Sequence, residues 1–222
     1  MPHSNPLSDK VVESSPVLSV ERSAIRSAKI AAREALTARQ HRRLSLAIEA
    51  HLAGLLQACR PRVLGFCWPF RAEFDCRPLV AKLIAAGIGA CLPRVISPDA
   101  ALEFRAWRPG SEMSIDRFGI HYPATGETLT PDVLLLPVNA FDPAGYRLGY
   151  GAGYFDRTLA ELAGLALYPL AIGAGFELAR VDSIFPAAHD IPLDAVVTEV
   201  GVEIFSTRMQ GDNYCVPVQE SP

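Results

Sequence analysis

Between residues 63 and 107, apolar stretches of strand length alternate with a stretch of helical periodicity, and this alternation restricts the fold more than any other feature. Val63–Trp68 reads as a buried strand, Arg77–Ala86 as an amphipathic helix ended by Gly87, and Ile88–Val95 as a second strand. Leu102–Trp107 alternates apolar and polar residues, as an edge or antiparallel strand would. Further on, Val133–Val138 reads as a strand, Thr158–Leu162 as part of a helix, Pro169–Ile172 as a strand and Ala195–Thr198 as the final short strand. Strands that take turns with helices form a mostly parallel sheet covered on its faces. The expected architecture is therefore a three-layer α/β fold, Rossmann-like and doubly wound, with helices flanking the sheet.

The remaining segments fit around that sheet. From Glu21 to Cys59 the chain is Ala-rich and free of Pro or Gly until Gly54, which predicts two helices or one long bent one. Arg108–Pro131, rich in Gly, Pro and Thr, is expected to be a long irregular connection. Residues 1–20 and 207–222 lack sustained periodicity and are expected to be tails, leaving a single α/β domain over 21–206. No internal repeat is present.

Half of the 222 residues are hydrophobic, enough for a substantial core in one domain. The formal net charge is −3, which gives no polyelectrolyte signature for nucleic acid. No apolar run reaches the ~18 residues of a membrane-spanning helix, and Met1–Leu18 lacks the pattern of a secretory signal. Cysteines stand at 59, 67, 76, 91 and 215, odd in number and without a C-x-x-C pair. That spacing argues against a disulfide framework or structural zinc and suits a reducing cytoplasm.

The residues richest in chemistry are 141–157, Phe-Asp-Pro-Ala-Gly-Tyr-Arg-Leu-Gly-Tyr-Gly-Ala-Gly-Tyr-Phe-Asp-Arg. They follow the apolar stretch at 133–138 and lead into a helix. Gly149, Gly151 and Gly153 permit positive φ and close approach of backbone to ligand. A glycine-rich strand-to-helix turn presents free N–H groups and the positive end of the helix dipole, a natural phosphate seat. Arg147 adds a cation before the glycines. Asp156 adds a carboxylate in the first helical turn, where magnesium could sit or where the dipole alone would favour it. The arginines and lysine at 22, 26, 29 and 33 share one helical face, which taken alone reads as a solvated face.

The segment Ala140–Arg157 resembles the signature of the 5-formyltetrahydrofolate cyclo-ligase (methenyltetrahydrofolate synthetase) family. Arg22, Ile25, Arg26, Arg33 and Leu36 resemble its N-terminal helix. Glu73, Leu79 and Leu92-Pro93-Arg94 resemble its substrate-side segment, and Phe104, Gly119-Ile120, His189-Asp190 and Val197-Thr198-Glu199 extend the likeness over roughly residues 20–203. Such a likeness implies MgATP-dependent conversion of 5-formyltetrahydrofolate into 5,10-methenyltetrahydrofolate. The formyl oxygen is a poor leaving group until phosphorylated, so the protein mainly positions two small molecules and neutralises phosphates.

The resemblance also implies site residues. Arg22 and Arg26 would contact ATP phosphates. Arg147, Leu148, Gly149, Tyr150, Gly151, Ala152, Gly153, Tyr154 and Phe155 would cradle the nucleotide, with Arg147 and Tyr154 as the catalytic pair. Trp68, Glu73, Tyr150 and Tyr154 would border the folate, the carboxylate accepting paired N–H groups of the pterin. Asp156 and Asp190 would hold Mg2+ through hard oxygen ligands. Partners would be reduced folate and ATP, with no nucleic acid or membrane, and the protein would be a monomer or homodimer.

Five departures from the family pattern stand out. Arg22 replaces Lys, exchanging a point charge for a fork; Ala152 replaces Gly or Lys; Cys76 replaces Thr; Tyr122 replaces Glu. The usual Gln near Phe176 is absent, with Ala179 or Arg180 in its place. The last two are expected near the folate pocket. They leave open a non-catalytic nucleotide- or folate-binding relative, or a phosphotransferase for another amide or pterin-like compound.

Overall fold

The computed structural model describes residues 16–209. Two helices open it, α1 (Pro16–Glu34) and α2 (Ala38–Cys59). Thr37 divides them with a capping box: its hydroxyl accepts from Gln40 N at 3.2 Å while its own N–H donates to Gln40 Oε1 at 2.9 Å. Such a reciprocal cap satisfies two of the amides that a helix start leaves free. The helix begins at Pro16, inside the stretch expected to be a tail, and the rest of that expectation lies outside the described residues.

The parallel strands are β1 (Val63–Gly65), β2 (Gly89–Arg94), β6 (Val133–Pro137), β9 (Leu170–Ala174) and β10 (Ala195–Val197). β3 (Glu103–Ala106) and β11 (Val202–Ile204) are antiparallel edges, and the seven strands run β11-β10-β9-β6-β1-β2-β3. Ala195–Val197 is thus not the last strand, since β11 turns back on it. Helices α3 (Arg77–Ala85) and α4 (Tyr154–Gly164) complete the crossovers. Alternate residues of β6 face opposite layers: Val133 and Leu135 pack with Leu52 and Val80, Leu134 and Leu136 with Leu159. Each fully buried leucine contributes about 1.5–3 kcal/mol relative to exposure.

Two segments differ from expectation. Within Arg108–Pro131 lies a hairpin, β4 (Met113–Ile115) with β5 (His121–Pro123), turning at Asp116, whose carboxylate accepts from Phe118 N and Ile120 N at 2.8 and 2.9 Å. A second hairpin, β7 (Ala140–Phe141) with β8 (Arg147–Leu148), stands between β6 and the glycine turn. That turn leaves an antiparallel strand rather than the buried parallel one. Buried Asp142 holds the hairpin by accepting from Ala144 N and Tyr146 N at 3.1 Å and from Ile184 N at 3.2 Å. At the C-terminal end, Thr207–Met209 form a 3-10 turn with Met209 buried, and the remainder of the expected tail lies outside the described residues. So does Cys215, while Cys59, Cys67, Cys76 and Cys91 are free thiols.

Chain direction reverses at the centre of the sheet. From β1 the chain crosses to β2 on one side, and β6 later pairs with β1 on the other. A crevice forms outside the carboxyl ends of strands at such a switch point, and ligands bind there in open α/β sheets.

Candidate functional site: the crevice at the switch point

A cleft of about 570 Å³ opens at that place. Cys67 and Trp68 reach it from the end of β1, Pro93 and Val95 from β2, and Pro137 from β6. The glycine turn and the first residues of α4 form one wall, α1 a second, and the segment at 187–190 closes the back. Arg22, Arg26, Trp68, Glu73, Arg147, Gly149 through Asp156, and Asp190 all line it.

Local conformation explains the glycines. Gly151 has φ 101° and Gly153, the N-cap of α4, has φ 67°, both in the left-handed region that other residues enter only with strain. A Cβ on Gly153 would lie 2.9 Å from Arg157 Nη1, and one on Gly151 would lie 3.4 Å from the Arg26 guanidinium. No side chain caps α4 at its N-terminus, so its first amides remain available to an anion.

Four basic residues of α1 turn inward rather than facing solvent: Arg22 and Arg26 line the cleft, whereas Lys29 and Arg33 make their bonds behind it. Arg22 grips Asp190 with both terminal nitrogens, at 2.5 and 3.0 Å. Arg26 Nε donates to Gly149 O at 2.7 Å, and burial, with the nearby charge of Arg22, lowers its proton affinity. Lys29 donates to Leu178 O and Arg180 O at 2.8 Å. Arg33 is buried and donates to Asn139 Oδ1 at 2.9 Å and Tyr150 OH at 3.2 Å. The solvated-face reading of 22, 26, 29 and 33 therefore fails, because their partners lie far along the chain. Arg33, Asn139 and Lys29 are parts of the site that no motif had assigned. The i, i+4, i+7, i+11 spacing puts Lys29 and Arg33 on the face of Arg22 and Arg26, but it did not name their partners, and Asn139 had no signal at all.

The carboxylates divide into two groups. Asp156 accepts from Arg147 Nη1 and from Ile191 N, each at 3.1 Å. Because Ile191 follows Asp190, these bonds bring the two acids to adjacent places on one wall. For Asp190, burial raises the carboxyl pKa, but the Arg22 and Ala187 hydrogen bonds and the Arg22 charge outweigh it and hold the group below the usual range. Glu73 sits across the cleft, accepting from Tyr150 OH at 2.7 Å and Phe70 N at 3.0 Å. Burial pushes its pKa up, against the opposing pull of Tyr150 and Arg33. Among the described residues no cluster of three or more His, Cys, Asp or Glu is placed to hold a metal.

Aromatic rings form the remaining walls. Trp68 stands edge-on to Trp107 at 6.5 Å, tilted against His121 at 5.1 Å, and carries the Arg77 guanidinium 4.2 Å from its ring centre. Tyr154 OH accepts from Arg117 Nη2 at 2.8 Å, and Phe118 meets the Tyr154 ring at 6.2 Å. The β4–β5 hairpin thus reaches over the cleft mouth.

Some expected residues lie elsewhere. The Leu148 side chain is buried against Ala140 and Ile184, because it alternates inward from Arg147 on β8. It contributes to the cradle only by accepting Asn139 N at 3.0 Å through its carbonyl. The loop directly after Phe176 does not line the cleft; it supports α1 from behind through Lys29. Ala179 is buried in the core, Arg180 pairs with Glu177 and Glu203, and Tyr122 is absent from the cleft lining. The two departures expected near the folate pocket therefore sit outside this cleft.

A doubly wound sheet with a glycine turn, an open helix N-terminus and a row of arginines at its switch point defines the class of α/β proteins with an anion-binding crevice. Comparison with known proteins narrows the class. The sequence model of the 5-formyltetrahydrofolate cyclo-ligase family matches residues 18–199, and the chain belongs to this family of ligases. The 5-formyltetrahydrofolate cyclo-ligase of Escherichia coli K12 is 38% identical over 136 residues, covering 58% of this chain and 73% of the relative. That of Haemophilus influenzae is 28% identical over 166 residues, covering 71% and 87%. Among solved structures, the 5,10-methenyltetrahydrofolate synthetase of Aquifex aeolicus superposes with a TM-score of 0.69 at 28% identity, covering 83% of this chain and 92% of that one. No helix among the described residues is long and apolar enough to cross a membrane.

Proposed function

We propose that the protein converts 5-formyltetrahydrofolate into 5,10-methenyltetrahydrofolate with hydrolysis of ATP to ADP and phosphate. One observation supports this reading best: an anion seat of glycine amides and arginines shares a single cleft with a buried carboxylate and an aromatic wall. Phosphoryl transfer between two bound molecules needs such an arrangement, and it needs no side-chain nucleophile.

The γ-phosphoryl group passes to the formyl oxygen, breaking its bond to the ADP oxygen. N10 then attacks the formyl carbon, the carbon–oxygen bond breaks, phosphate leaves and the N10 proton is released. The amides of Gly149 to Tyr154 and the guanidiniums of Arg22, Arg26 and Arg147 neutralise the phosphates through all of this. Arg147 is the catalytic cation, turning from Asp156 toward the transferred group, and Tyr154 holds the formyl end against the α4 N-terminus. Glu73 accepts the paired N–H groups of the pterin and Trp68 covers its face.

Asp156 and Asp190 would hold Mg2+ beside the phosphate seat, Asp156 through the oxygen left free by Arg147 and Ile191, and Asp190 once Arg22 turns from it to the phosphates. Mg2+ takes one or two carboxylates and completes its shell with phosphate oxygens and water, and it would supply charge neutralisation of the phosphates. The test is a coupled assay in which 5-formyltetrahydrofolate and MgATP yield methenyl absorbance and ADP in equal amounts. ATP turnover indifferent to that folate rejects the substrate and leaves the phosphate seat intact.

A further inference from the structure

Arg33 closes the row of basic residues on α1 and, at 4% exposure, is buried more deeply than an arginine can be without specific partners. All three of its nitrogens are engaged. Nε donates to Arg71 O at 3.0 Å, Nη1 to Asn139 Oδ1 at 2.9 Å and Nη2 to Tyr150 OH at 3.2 Å. The Tyr150 hydroxyl donates in turn to Glu73 Oε1 at 2.7 Å, and Nη2 lies 3.8 Å from the same oxygen.

Tyr150 sits between Gly149 and Gly151 in the phosphate turn, so its backbone belongs to the nucleotide seat. Its hydroxyl belongs to the folate seat, because it occupies the carboxylate assigned to the pterin. One side chain therefore touches both seats, and Arg33 pins it from behind. Asn139 extends the hold, since its N–H bonds Leu148 O at the entry to the turn.

We infer that Arg33 is a positioning residue which, through Tyr150 and Glu73, makes the nucleotide and the reduced folate bind cooperatively. The inference rests on the assignment of the two seats under Proposed function. A nucleotide that orders the turn fixes Tyr150, and with it the direction in which Glu73 presents its free lone pairs. The folate then meets a carboxylate already oriented, and the ordering is not required twice. Thermodynamic linkage makes the effect reciprocal, and couplings of this kind span roughly 5- to 150-fold in affinity.

Calorimetric titration of the full-length protein tests this, using 5-formyltetrahydrofolate with and without saturating magnesium and the β,γ-imido analogue of ATP. In the wild type the folate Kd falls at least ~5-fold when the analogue is present. In Tyr150→Phe and Arg33→Gln, whatever the change in either Kd alone, the ratio of the two folate Kd values approaches one. Arg33→Lys, which restores charge without the fork, recovers part of the coupling. Should Arg33→Gln fail to fold, Tyr150→Phe carries the test, because it removes one oxygen from a half-exposed ring. Undiminished coupling in Tyr150→Phe, or a wild type that binds both ligands independently, overturns the inference alone. A wild type that binds the analogue but not the folate overturns the functional reading and the inference together.

Discussion

Arg147 and Asp156 meet at 3.1 Å across the start of α4, and Ile191 N donates to the same Asp156 oxygen. The guanidinium and the carboxylate thereby neutralise each other in the place where a polyphosphate and its cation would each need one of them. Charge at the site is arranged in exchangeable pairs, with Arg22 and Asp190 forming the second.

Replacing Arg147 by Ala removes the cation proposed to face the transferred group. Loss of a charge-stabilising donor costs catalysis about 100-fold or more, so the kcat for methenyl formation falls by at least ~100 while the folate KM stays near its wild-type value. A variant with wild-type kcat removes Arg147 from the chemistry.

Asp156→Asn keeps the shape of the carboxylate and removes its charge. The expected outcome is a raised magnesium requirement, read as a rightward shift of the magnesium titration at fixed ATP. Superimposable titrations assign Asp156 to the ion pair with Arg147 alone.

Gly151→Ala places a methyl group at a backbone φ of 101°, 3.4 Å from the Arg26 guanidinium. Strain of this type costs about 1–3 kcal/mol, and it falls on the turn proposed to receive the phosphates. ATP affinity should drop by ~5- to 100-fold, whereas folate affinity measured without nucleotide should hardly change. Equal losses for both ligands would indicate general collapse of the cleft.

Glu73 gains a proton at higher pH than an ordinary glutamate, because burial disfavours its charge more than Tyr150 and Arg33 favour it. The folate KM should therefore climb as pH falls, starting above the ordinary glutamate pKa of about 4.3. Glu73→Gln should raise that KM by ~10- to 100-fold at neutral pH, in line with loss of hydrogen bonds to a charged acceptor, and should flatten its pH dependence. Stability follows the opposite sign. A raised native pKa makes the Glu73 contribution most favourable below the unfolded pKa, and the contribution declines as pH rises to the native value. Thermal unfolding of Glu73→Gln against wild type should thus show the variant gaining relative stability toward neutral pH.

Asp190 behaves in the reverse manner, since Arg22 holds its pKa below the ordinary 3.8 despite burial. Its contribution to stability is present above that ordinary value and disappears as pH falls through the native one. Arg22→Ala should lower stability by about 1.5–3 kcal/mol near neutrality, the range for hydrogen bonds to charged groups. The gap to wild type should close in acid; a gap independent of pH would assign the loss to packing of α1.

The central strands were legible because both of their faces are buried: Val133–Leu136 is an unbroken apolar run of the kind only a parallel interior strand needs. The β4–β5 hairpin was not, since its strands are three residues long and lie among Gly, Pro and Thr, a composition that reads as loop. The β7–β8 hairpin was hidden within the signature segment because its strands are two residues long, and the Asp142 carboxylate that closes it acts through backbone N–H groups no pattern marks. In the site, Gly151 and Gly153 announced their conformation by residue type, whereas Gly149, expected to share it, has no positive φ. Arg33 could not, because its meaning comes from Asn139 and Tyr150, 106 and 117 residues further along the chain.

Arg117 and Phe118 rest on Tyr154 from the tip of a hairpin that contributes no strand to the central sheet. The rim of the entrance and the scaffold beneath it are consequently built from separate sheets. Lengthening or recharging the stretch around 116–119 would alter which molecules gain admission, and how fast they depart, without disturbing a single rung of the seven-stranded ladder. Entry to the cleft can therefore be altered at that tip without rebuilding the sheet.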